Sequence, residues 1–158
     1  MIRHTVVFAL LLVVAAHGQP PRPLIPSNEK PPPPKLEPVA EAKLIMEGMA
    51  KPNFDALGKL LKDKPADAAG WTFARGQALL LAESGNLLMM RPPKTRAAQD
   101  MWMAKAADMR SAATKLAKAA GEKEYETARA ALATVANTCN RCHQAFGVAT
   151  RVTPFDAD

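Results

Sequence analysis

The feature that most limits how this chain can fold is Cys139-Asn140-Arg141-Cys142-His143, set close to the C-terminus. C-x-x-C-H is the attachment signature of a c-type haem. Two thiols add across the two vinyl groups, and the adjacent imidazole becomes the proximal iron ligand. On a helix, cysteines three residues apart stand on neighbouring ridges, and His143, four residues after Cys139, projects from the same face. The flanking sequence asks for that helix. Tyr125, Ala128, Leu132, Val135, Cys139, Cys142 and Phe146 recur at alternating steps of three and four, an apolar seam suited to a bundle core.

The pentapeptide has other chemical readings. A structural zinc needs about four ligands, but the remaining histidines, His4 and His17, fall in the first 18 residues and there is no third cysteine. A thioredoxin-like dithiol expects a βαβ setting. This chain is instead rich in Ala, Leu and Met with only 5% aromatics, which favours helices. A plain disulfide or a pair of free thiols is a further reading. One covalent haem c is the cofactor the motif specifies.

Residues 1–18 read as a secretory signal: Arg3 and His4 precede the apolar run Val6 to Ala16, and Ala16-His17-Gly18 supplies small residues for cleavage before Gln19. That run is well short of the roughly 20 residues of a transmembrane helix; an uncleaved anchor is the other reading. A periplasmic or otherwise exported location agrees with covalent haem attachment. Residues 19–37 form a Pro-rich linker, nine of the 14 prolines lying between Pro20 and Pro38. Polyproline II would make it a semi-rigid spacer of about 60 Å, either inert or a tether holding the domain near a membrane.

Residues 38–147 carry the fold. The first helix is expected from Pro38 to Lys62, burying Val39, Ala42, Met46, Met49, Leu57, Leu60 and Leu61, with a kink at the interior Pro52 and Asn53 capping its second half. The second runs from Pro65 to Met90 on Trp71, Ala74, Ala78, Leu81, Gly85 and Leu88, a seam in which small residues dominate and which admits a close neighbour or a flat cofactor. The third runs from Thr95 to Ala120 on Trp102, Ala106, Met109, Ala113, Leu116 and Ala120, and ends at Gly121. The fourth carries the motif from Lys123 to Phe146, and residues 148–158 read as a frayed tail. Four long helices with short connections predict an all-α, antiparallel four-helix bundle.

A four-helix chain with a single C-x-x-C-H near its C-terminus resembles the class II c-type cytochromes, cytochrome c′ and its low-spin methionine-ligated relatives. The likeness is densest from Val135 to Phe146, where Phe146 stands three residues after the histidine and is expected to pack on the haem; Trp102 is a further family-like position. Gly147 and Ala42 depart from the pattern, standing where the family usually carries basic residues. In that family the distal residue lies in the first helix, Leu-like in five-coordinate members and Met in low-spin ones. Matching the first helix backwards from Pro65 puts Met46 at that position, with Met49 one turn on.

The resemblance thus implies either an electron carrier with His143/Met46 ligation (Met49 being the alternative) or an open iron that binds small gases such as NO or CO. A methionine sulfur also fits the residue count, because a chain processed after residue 18 keeps one histidine; an open position or a lysine ligand would fit it too. Met/His ligation raises the reduction potential. No nucleophile–base set is present and carboxylates such as Asp55, Asp63 and Glu83 are scattered, so no enzyme is expected. The formal charge of +6 suits acidic redox partner proteins or an anionic membrane, while basic clusters interleaved with aromatics, the mark of nucleic-acid binding, are missing. A homodimer is the assembly the family resemblance suggests.

Overall fold

Proline and capping punctuation divides residues 33–155, the part described by the computed structural model, into four helical rods with no strand among the described residues. The signal segment 1–18, the Pro-rich stretch up to residue 32 and residues 156–158 lie outside them. The first rod is α1 (Ala42–Ile45), a π-helical turn (Met46–Ala50) and α2 (Lys51–Leu60). The others are α3 (Ala68–Met89), α4 (Arg96–Gly121) and α5 (Tyr125–Ala145). Consecutive helices pack along their lengths, α2 on α3, α3 on α4 and α4 on α5, while α1 and the π turn also lie on α3.

The first rod departs most from expectation. It begins at Ala42 rather than Pro38, and Val39, expected in the core, is 95% exposed. Arg91 donates to the carbonyls of Ala40 and Leu87, which ties the chain just ahead of the helix to the end of α3. Pro52 is accommodated by the wide turn before it: the Lys51 amide reaches back five residues to the Met46 carbonyl, inserting one residue into the helical phase. The buried set becomes Ile45, Ala50, Phe54, Leu57 and Leu61. Asn53 does not cap a separate helix; its side-chain amide donates to the Met49 carbonyl at 2.5 Å, inside the disturbed stretch.

The remaining helices bury the expected seams as far as Cys139, with Trp102 and Tyr125 at the edge of the core, while Cys142 and Phe146 at the end of α5 are half-buried outside it. α3 starts at Ala68 rather than Pro65, because Asp67 is its N-cap and accepts from the Gly70 amide at 2.8 Å. Small residues bring α3 and α4 together: a β-carbon on Gly85 would stand 2.8 Å from the Ala106 carbonyl oxygen. α4 ends on Gly121 as expected, but that glycine is still helical. The left-handed residue of its terminal turn is Lys123, at φ 59°, and the Glu124→Ala119 and Lys123→Ala120 amide–carbonyl bonds close a Schellman motif around it.

Two melting measurements test these points. Gly85→Ala is expected to lower stability by about 1–3 kcal/mol, since the added methyl meets backbone rather than a movable side chain. Lys123→Gly is expected to raise it by roughly 1 kcal/mol by relieving the left-handed strain. A neutral Gly85→Ala would mean that the two helices can separate at no cost.

Candidate functional site

α5 delivers Cys139, Cys142 and His143 from one surface, in the seam's phase. Both cysteines are free thiols and half-buried, and Cys139 packs against the core. Burial, helped by the neighbouring Cys142, pushes the Cys139 thiol up to about 11. Burial also raises Cys142, against an opposing pull from Lys105. Thiols held protonated make poor redox nucleophiles, which counts against the dithiol reading. Among the described residues no group of three or more His, Cys, Asp and Glu side chains is placed to hold a metal ion.

His143 is oriented from outside the helix. Its Nδ1 lies 2.7 Å from the Thr150 carbonyl oxygen. That oxygen can only accept, so Nδ1 carries a proton, and in the neutral ring Nε2 is then the nitrogen with the lone pair, the form an iron-ligating imidazole needs. Thiols three residues apart and a histidine in this tautomer fit a covalently attached haem c. When bound, that group supplies a one-electron Fe(III)/Fe(II) couple.

Two aromatic residues border the motif. Phe146, the residue that ends α5, meets Trp102 edge to face at 5.1 Å between centroids. Trp102 in turn donates its indole N–H to the Leu88 carbonyl at 2.7 Å, tying the end of α3 to the start of α4 beside the motif.

The first rod and α5 are held in register at one end. Arg129 donates to the carbonyls of Leu61 (3.2 Å) and Lys62 (2.6 Å), and the Tyr125 hydroxyl donates to Lys62 at 2.9 Å. Counted from that tie at 1.5 Å per residue, Met46 lies about 22 Å along the first rod and His143 about 21 Å along α5. Met46 and the haem motif therefore share a level of the bundle. Met46 is half-buried and packs on the core; Met49 is half-buried one turn nearer the tie. No close backbone packing comparable to the other helix pairs joins the first rod to α5 among the described residues, which suits a planar group between them.

The C-terminal residues, expected to fray, form an ordered strap. Asn140 donates to the Val152 carbonyl at 2.9 Å and accepts from the Val152 amide at 3.0 Å. Val152 and Phe155 pack against the core, and Phe155 lies under the Arg129 guanidinium at 4.3 Å. Sequence reading missed Thr150, which acts through its backbone. It could have found Gly147: a glycine immediately after a helix is a C-terminal signal.

Replacing Cys139 and Cys142 together by Ala is expected to abolish covalent haem, read as complete loss of pigment to acid–acetone extraction. Pigment that survives the extraction would overturn the thioether assignment.

Compared with known proteins, residues 37–147 match the family described as Cytochrome C′. No curated protein and no solved structure matches the chain. The match covers most of the sequence, and the described residues form the family's four-helix architecture with the attachment motif on the last helix. The chain belongs to the cytochrome c′ family, the class II c-type cytochromes, and carries haem c.

Proposed function

We propose that the protein is an exported, non-enzymatic electron carrier in which His143 and the Met46 sulfur are the two axial ligands. The observation that carries this reading is the shared level of Met46 and His143 on two rods whose register is set by Arg129 and Tyr125. His143, with Nδ1 bonded to the Thr150 carbonyl, has Nε2 left for the iron. Met46 offers a soft thioether at the margin of an apolar core, a combination that favours the reduced state and leaves no place for an external ligand. The Phe146–Trp102 pair offers an apolar border beside the motif. Redox partners with acidic surfaces fit the net charge, and the Pro-rich stretch serves as a spacer or tether. Among the described residues no helix is long and apolar enough to cross a membrane.

The family match favours a second reading, an open iron that binds NO or CO as a sensor or scavenger. Spectra separate the two. The proposed carrier is low-spin when ferric and does not bind carbon monoxide when ferrous. Met46→Leu is expected to make it high-spin and reactive towards carbon monoxide, whereas Met49→Leu should cost less than about 1.5 kcal/mol of stability and leave the spectrum alone. The reverse pattern would transfer the role to Met49. A wild-type protein that is already high-spin would put gas binding first.

A further inference from the structure

The strap that follows α5 has no part in haem attachment, yet it touches the motif at two of its five residues. α5 ends in a second Schellman turn: the Val148 amide bonds to the His143 carbonyl at 2.8 Å, the Gly147 amide to Gln144 at 3.4 Å, and Gly147 sits at φ +68°. A residue with a β-carbon is disfavoured there. That accounts for a glycine where the family usually carries a basic residue. The turn sends the chain back along α5 rather than away from it.

The returning chain is pinned at each step. The Thr150 carbonyl faces His143 Nδ1, and Arg151 donates to the Asn140 carbonyl at 3.2 Å. The Asn140 side chain holds Val152 by both its amide and its carbonyl. Pro154 lies so close to α2 that a β-carbon on Gly58 would stand 2.5 Å from its carbonyl oxygen, and Phe155 stacks on Arg129. The carbonyl facing His143 is therefore the product of a built path, not of a loose end.

We propose that this strap is a positioning element for the proximal ligand, with the Thr150 carbonyl fixing the imidazole and tuning the haem iron. By accepting the Nδ1 proton, Thr150 locks the tautomer and the ring angle and shifts electron density towards Nε2. A more basic imidazole is the stronger donor to Fe(III), so the strap lowers the reduction potential of the site, opposing the effect of a methionine on the other side. Asn140, inside the attachment motif but not itself an attachment residue, acts by holding Val152 and through it Thr150.

The inference rests on His143 being an axial ligand, and the test keeps the two apart. The full holoprotein is compared with a chain ending at Val148 and with Asn140→Ala, which keeps the strap but removes both pins to Val152. The midpoint potential is measured by spectroelectrochemical titration, alongside the melting temperature. Both variants are expected to keep covalent, histidine-ligated haem and to shift the Fe(III)/Fe(II) equilibrium towards Fe(II) by up to about tenfold, about 59 mV for a one-electron couple. Asn140→Asp, which retains the acceptor for the Val152 amide, should fall between Asn140→Ala and wild type. If melting temperatures drop while the potentials of histidine-ligated haem stay at the wild-type value or fall, the strap is structural only and the proposal is overturned. If the wild-type spectrum shows no imidazole ligation, the ligand assignment fails first and takes the tuning role with it. Should the truncated chain not fold, the two Asn140 variants decide the matter alone.

Discussion

The capping of the first rod by α5 is the constraint on which the site depends. A helix leaves its last carbonyls without partners, and here the Arg129 guanidinium and the Tyr125 hydroxyl answer those of Leu61 and Lys62. Arg129 is itself held by the Tyr125 oxygen at 2.8 Å and covered by Phe155, so its charge sits among acceptors and rings rather than in open water. The tie does more than close a helix end. It sets the axial register between two rods that lack extensive packing of their own, and register is what a two-sided ligand set needs. Leu57 and Leu132, both fully buried, belong to one apolar core.

The C-terminal half was legible because its information is local and repeated. Steps of three and four from Tyr125 to Phe146 predict a helix and its buried face together, and the five-residue motif needs no tertiary knowledge to read. The same holds for α3 and α4, whose buried alanines and leucines fall where periodicity puts them. Boundaries shifted beside polar contacts that periodicity does not show: Asp67 caps α3 later than Pro65 suggested, and Arg91 bonds the Ala40 carbonyl just ahead of the first rod. Lys123 occupies a left-handed position that a sequence reader assigns to the nearest glycine.

The strap was not legible for a different reason. Its decisive contact is a backbone carbonyl, and every residue type has one. Only the path that brings Thr150 to His143 is specific, and that path is encoded in residues with individually weak signals: a glycine, an asparagine between two cysteines, a proline and a phenylalanine. The 148–158 segment has little periodicity, so it reads as a tail. In the fold, the Gly147 turn and the double bond between Asn140 and Val152 lay residues 148–155 over the first rod and α5.

The π turn bears on whether Met46 is packing or chemistry. In an uninterrupted α-helix Met46, eleven residues before Leu57, would share its azimuth to within about 20° and sit in the centre of the seam. There a methionine would be an ordinary gap-filler. The extra residue accepted upstream of Pro52 turns the preceding segment by roughly 100°, and Ile45 takes the central place, 6% exposed. Met46 moves to the margin of the core, still in apolar contact but no longer enclosed by it. A long thioether at the edge of a core, level with an imidazole whose tautomer is fixed, is available in a way that a central methionine is not. Wide turns of this kind are frequent at functional sites because they change which side chain a helix presents without ending the helix. The proline that looks like a defect in the first rod is, on this account, what releases the sulfur.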